Sequence, residues 1–381
     1  MNTPARLVQL THITEPSLLW DSVLPASQAV GLPTRVLLHA GPPFIDARRP
    51  SLPVLSSALA CALYEGWAES EAQALQMIRS GEIRLEPSLD WGVAIPLAGV
   101  VSPRTALVGV LDPEQGRRYW SLLHSGPGAE IRFGSNNPEL QARMAFRDTD
   151  MAPLFHAQVS AQPISLLPVA AEAISEGDDL HCETSAATQR LSLLFANAEA
   201  PGRAEGFLAQ TPLFFLTLWM ACSLHLSARI AAEADIPDLI LAVAGNGESL
   251  GVRCAGAPHQ WISCEGRPPA GEPGAVADET ANALGDSGVI DALGLGAQLW
   301  PQSRVARNLA AELLGQVTDI EQFASAVFVL GKSIKSGFRL QAMIAAKASM
   351  SVSLARVDAA GEHGLLGKGL LNLPMERFAK G

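Results

Sequence analysis

Cysteine is scarce in this chain and poorly spaced for any shared duty. The five residues, Cys61, Cys182, Cys222, Cys254 and Cys264, are odd in number and contain no CxxC pair. Neither a disulfide framework nor a zinc site is indicated, and a reducing cytoplasm is the expected compartment. Histidine offers no substitute, because the eight are scattered with no HxH or HxxxH pair; no metal is expected. Positive charge is short too. Lys plus Arg is 27 against 38 Asp plus Glu, a net charge of −11, and no basic cluster with interleaved aromatics occurs. Nucleic acid is therefore not an expected partner. The longest apolar run, Leu213 to Leu226, carries His225 and falls short of the roughly 20 residues of a membrane span. It reads as a buried core helix, so no membrane partner is expected, and the N-terminus lacks the basic and apolar regions of a secretory signal.

What is abundant is apolar material. Hydrophobic residues make up 48% of 381 positions, enough for real cores and for two or three domains. The stretch that organises the chain is Asp238 to Gly256, DLILAVAGNGESLGVRCAG, where two apolar runs flank a glycine-rich loop. Asn-Gly between apolar runs is the strongest short-range hairpin signal. Gly245, Asn246 and Gly247 would make the turn, with Glu248 and Ser249 at its exit and Arg253 on the returning strand. An acid, a hydroxyl and a guanidinium near free backbone N–H groups would suit a carboxylate or phosphate. An ordinary solvated hairpin is the competing reading.

Before this stretch, the first 35 residues read as an arm or edge strand, and RVLLHA as a strand ending at Gly41 with His39 at its tip. Residues 52 to 80 read as a helical pair. Its second helix opens on a Ser70/Gln73 capping box and stops at Gly81. GVAIPLAGVV, TALVGVLD and RRYWSLLH read as antiparallel strands, and Asn137-Pro138 opens a helix running to about Val159. The segment Gly177-Asp178-Asp179-Leu180-His181 places two carboxylates and an imidazole at a helix start, where they serve either acid–base chemistry or the helix dipole. After the hairpin, helices are expected from Ala275 and from Ser303, then a strand at Ala326 to Leu330. Gly331-Lys332-Ser333 fails as a Walker A loop, because Ala326 stands where glycine is needed. A helix start carrying Lys332 and Lys335 remains as an anion seat. Gly364, Gly367 and Gly369 imply close backbone packing or another anion loop.

Taken together, LLHAGPP at 37–43, ALYEGWA at 62–68, PLAGVVSP at 96–103, GDDLH with AAT at 177–188, FFL with MA at 214–221, NGESLGVRCAG at 246–256, GDSGVI at 285–290 and the terminal GLLGKG with PMERF resemble the family of domain of unknown function 1116. That family includes a subunit of bacterial oxamate carbamoyltransferase. The resemblance implies an α+β protein with mixed and antiparallel sheets, packed helices and a small helical insertion. It also implies partner subunits, one resembling succinyl-CoA synthetase, and carbamoyl transfer linked to carbamoyl phosphate. Such chemistry needs donors for phosphate and carbonyl oxygens and a group that handles the amine proton.

On that reading Gly245, Asn246, Gly247, Ser249, Arg253, Asp286, Lys332 and Lys335 bind a small anionic substrate, and His181, His39 or Glu248 handles the proton; no cofactor is expected. This chain departs from relatives in having Leu89, Asp90 and Trp91 where histidines precede PLAG, in Lys332 to Lys335, and in an expected shorter N-terminal segment. The division expected is an arm and first strand at 1–51, the helical insertion at 52–86, an α+β domain at 87–200 and a second at 201–381. A transferase or transferase subunit acting on a small carbamoyl- or amide-bearing acid heads the alternatives, ahead of a non-catalytic structural subunit and an amidohydrolase.

Overall fold

The central hairpin forms as its Asn-Gly signal demands. Strand Ile240–Asn246 pairs antiparallel with Ser249–Cys254, Gly245 opposite Leu250, and Gly247 takes the turn at φ 84°. This hairpin is the middle of a four-stranded antiparallel sheet closed by Ala257–Glu265 and Leu284–Gly285. The computed structural model describes residues 10–196, 201–275, 279–307 and 309–379. Among them the chain builds five sheets with packed helices, the α+β architecture with mixed and antiparallel sheets expected from the sequence.

The five-stranded sheet runs Val93–Ala94, Arg117–Leu122, Ala106–Asp112, Leu19–Pro25, Ile164–Ser165. Leu19–Pro25 is thus an interior strand, not the edge expected of the first 35 residues; only Thr11–His12 lies at an edge, beside Ala324–Leu330. Residues 1–9 of that arm lie outside the described residues. The helical pair, Leu52–Tyr64 and Glu71–Ser80, connects the parallel strands Val36–His39 and Arg84–Pro87. Its second helix starts where Ser70 Oγ accepts the Gln73 N–H and ends at left-handed Gly81, as the capping signals require.

Two helices expected after the hairpin are absent from the described residues. Residues 276–278 lie outside those described, and beyond them the chain forms the short Gly288–Asp291 helix and a 3₁₀ stretch at Gly296–Gln302; after Ser303 come a single 3₁₀ turn, Arg304–Arg307, and the four-residue helix Ala311–Leu314. The lysine segment is likewise corrected: Lys332–Phe338 is a strand paired with Ala324–Leu330, not a helix start. The glycine-rich C-terminus forms strand Leu365–Pro374 against Ser349–Val357 rather than an anion loop. Helix Phe214–Ala234 is longer than its apolar run. By length and composition it passes the test for a membrane span, yet 83% of its most apolar window is buried in the protein itself.

The sheets meet where glycine alone fits. A β-carbon on Gly41 would stand 2.5 Å from the Gly245 carbonyl carbon, and one on Gly245 would stand 2.2 Å from the Ala283 oxygen. The wholly buried Asp286 fastens this crossing: its carboxylate accepts the Gly41 N–H at 2.8 Å, the Ile95 N–H at 2.9 Å and the Ser88 hydroxyl at 2.6 Å. Burial pushes its pKa up to about 6, partly offset by those three donors. Gly245→Ala is expected to lower the unfolding free energy by about 3 kcal/mol, since backbone cannot retreat from an added methyl as a side-chain tip can. A urea midpoint equal to that of the wild type would refute the crossing.

Candidate functional site

The structure distributes the residues expected to share one site. Asn246 consumes the turn amides that were expected to be free, its Oδ1 accepting the N–H of Glu248 at 2.8 Å and of Ser249 at 2.7 Å, while Gly247 N–H bonds Ala283. Gly247, Glu248 and Ser249 line an open cleft of about 820 Å³ with Ser51 and Asn282. Arg253 faces a different cavity, of about 530 Å³, and is already engaged there: Nη2 bonds Asp90 at 2.5 Å, and the guanidinium lies 4.3 Å from the Trp261 ring centre. Lys332 and Lys335 line a third, bonded to Gln302 and Glu321. The hairpin and the lysine segment therefore do not enclose a common anion pocket.

His39 and Asp286 are core groups. His39 is fully buried against Phe44, its Nδ1–H donates to the Ala40 carbonyl at 2.8 Å, and burial lowers its pKa to about 4. It has no route to a solvent-borne proton.

His181 stands elsewhere. It lines a cavity of about 200 Å³ whose wall also carries Pro96, Leu97, Arg132, Cys182, Leu216, Ser287, Ser353, Leu365, Gly367 and Lys368. Five of the segments that carry the family resemblance meet here: PLAG, GDDLH, the apolar helix, GDSGVI and GLLGKG. The helix Gly288–Asp291 places Asp291 behind the imidazole, with Asp291 Oδ2 accepting from His181 Nδ1 at 2.8 Å. The other oxygen accepts the N–H of Ala297 at 2.9 Å and of Ser353 at 3.0 Å. Asp291 is wholly buried. Gly296 is obligatory beside it, since a β-carbon there would stand 2.6 Å from Asp291 Oδ1. With Nδ1 committed to a carboxylate, the neutral ring carries its acceptor at Nε2, and the residue lines the cavity.

The neighbouring acids do what the dipole argument supposes. Asp178 accepts the N–H of Ala186 and Ala187 in the first turn of Ser185–Ala196 and binds Arg304, and Asp179 accepts the N–H of His181 and Glu183. They shape the loop; His181 alone of the segment faces the cavity. Cys182 does not compete as a nucleophile, because burial pushes its thiol up to about 12. Two cations complete the wall. Arg132 bonds Glu130 through Nε, leaving both terminal amino groups without a protein partner, and Lys368 forms no ion pair among the described residues.

This chain matches the family model of the oxamate carbamoyltransferase subunit AllG over residues 83–287. It belongs to that family. Arg132, His181 and Ser287 fall inside the matched region; Asp291, Ser353 and Lys368 follow it. The oxamate carbamoyltransferase subunit AllG of Escherichia coli (strain K12) is 28% identical over 296 residues, 73% of this chain and 69% of that protein. The uncharacterized protein YahG of the same strain is 24% identical over 282 residues, 70% of this chain and 58% of its own length. In fold, the crystal structure of a conserved protein of unknown function from Enterococcus faecalis V583 superposes with a TM-score of 0.80, at 20% identity, covering 96% of this chain and 93% of that one.

Sequence reasoning found His181 but not its partners. Asp291 lies one residue past the GDSGVI segment and 110 residues from His181, a pairing no local pattern reveals.

Burial opposes charge on His181, but the Asp291 carboxylate beside it prevails and its pKa is raised above 6.5. The charged ring therefore adds stability that is complete below 6.5 and lost as pH rises through the folded value. An NMR titration should place His181 above the ordinary histidine value, and Asp291→Asn should move it down. A midpoint unmoved by that substitution would break the pairing.

Proposed function

We propose that this chain is a carbamoyltransferase subunit whose cavity binds a small amide-bearing acid such as oxamate, with His181 as the proton acceptor for its nitrogen. The observation that carries the reading is the Asp291–His181 pair at a cavity of about 200 Å³ whose wall also carries Arg132, bonded to Glu130 through Nε alone, and Lys368. A volume of that size suits a small carboxylic acid. In the reaction, the acid's nitrogen attacks the carbamoyl carbon of carbamoyl phosphate. A C–N bond forms, the C–O bond to phosphate breaks with its electron pair leaving on phosphate, and the nitrogen's proton passes to His181 Nε2. General-base help of this kind contributes about 10²- to 10⁴-fold. Asp291 holds the ring in the tautomer that leaves Nε2 free and stabilises the imidazolium that forms.

The residues first expected to bind the substrate, around Gly245 to Arg253 with Lys332 and Lys335, are assigned structural duties here. Asn246 ties the turn and Asp90 neutralises Arg253. The relative's description as a subunit supports an assembly in which other chains contribute to the full reaction. Leu365, 47% exposed at the cavity wall, is a contact such an assembly would cover.

Oxamate binding only the folded chain must raise its melting temperature; at a hundredfold excess over Kd the gain is about 2.7 kcal/mol. The wild type and His181→Gln are both expected to show that rise, and only the variant is expected to lose transfer, by about a hundredfold or more, when assayed in the assembled enzyme. Full transfer activity in His181→Gln would refute its role.

A further inference from the structure

Arg132 is an unusual cation in this protein. It is 6% exposed, yet its bonding is one-sided: Nε donates to Glu130 Oε2, the guanidinium carbon sits 4.9 Å from the Phe133 ring centre, and its own carbonyl accepts the Ala98 N–H at 3.0 Å. Neither terminal amino group has a hydrogen-bond partner among the described residues, and Arg132 lines the cavity. A buried guanidinium ordinarily spends its donors, because one left unmet away from water is costly. The 3₁₀ turn Ile131–Phe133 and the left-handed Gly134 after it fix where the side chain starts.

Behind Arg132 lies a second buried layer. Glu130 is 3% exposed, and its other oxygen lies against Nδ1 of His124, which is 4% exposed. Burial favours protonation of Glu130, but Arg132 and His124 overcome it and hold the carboxyl down at about 2; burial pushes His124 below the ordinary histidine value. The cation is thereby neutralised on its Nε side, and the residue lines the cavity; a guanidinium held in this way keeps the two terminal amino groups that engage a planar carboxylate through parallel N–H···O bonds.

We propose that Arg132 is the carboxylate clamp of this cavity and that Glu130 is its positioning residue, setting affinity by fixing the guanidinium fork rather than by touching the ligand. The clamp rests on the reading of the cavity as a small-acid site but not on carbamoyl transfer. Preorganisation is the physical content: a fork already held on two sides loses less freedom on binding than one drawn from solvent. Removing Glu130's charge would mix two opposed effects, looser positioning and a stronger bare cation. Glu130→Asp separates them, since it keeps the charge and withdraws it by one methylene.

The test is calorimetric titration of the full chain with acetate, glyoxylate, oxalate and oxamate, for wild type, Glu130→Asp, Arg132→Ala and the double variant. The wild type is expected to bind at least one of these, Arg132→Ala to bind none, and Glu130→Asp to weaken Kd about tenfold with its melting temperature retained. The double variant is expected to be no worse than Arg132→Ala. A wild type that binds no carboxylate, a Glu130→Asp Kd within twofold of wild type, or Arg132→Ala with full affinity would each overturn the clamp. Should Glu130→Asp fail to fold, the ¹⁵N NMR signal of Arg132 Nε–H in the wild type decides: slow exchange with water supports a locked fork, and rapid exchange overturns it. Binding of oxalate without oxamate would sustain the clamp while refuting the substrate proposed above.

Discussion

The fold depends on one buried carboxylate. Asp286 draws the Gly41 loop, the Ser88 turn and the Ile95 strand onto a single pair of oxygens, and it does so where only glycine lets the backbones touch. Three donors converging on one carboxylate compensate much of what burial costs it. The consequence is positional. Ser287 follows Asp286 directly, Asp291 follows within the same turn of chain, and Pro96 and Leu97 follow Ile95, so the crossing delivers one wall of the small cavity together with the residue that orients His181.

Around that cavity, charges are paired from behind and open in front. Asp291 holds His181 through Nδ1 and Glu130 holds Arg132 through Nε, and both held residues line the same cavity. Elsewhere the pattern is reversed: Arg253 is closed by Asp90 and Trp261, Lys335 by Glu321, and Asp178 by Arg304. The charged heads at the larger cavities are ion-paired, Arg253 to Asp90 and Lys335 to Glu321, whereas the small one is lined by the Asp291-held imidazole and by Lys368, which forms no ion pair among the described residues.

Local signals were legible in the sequence, and long-range ones were not. The hairpin at Gly245 to Arg253, the Ser70/Gln73 cap and the buried apolar helix follow from turn chemistry, capping and hydrophobicity over a few residues. The lysine segment misled because Lys332, Ser333 and Lys335 resemble a polar helix start, while the strand is set by pairing to Ala324–Leu330. The glycine loop misled for another reason: Asn246, which signals the turn, also spends the amides that seemed available. The chemistry of the site rests on contacts such as His181 with Asp291, across 110 residues, and no window of sequence contains both.

The proposed function and the clamp both require a small carboxylic acid between Arg132 and His181. A crystal structure of the chain with oxamate at saturating concentration should show density with the carboxylate on the Arg132 amino groups and the nitrogen toward His181 Nε2. Oxamate bound instead beside Arg253, in the Gly247–Ser249 cleft or at Lys332, with the small cavity empty, would contradict it.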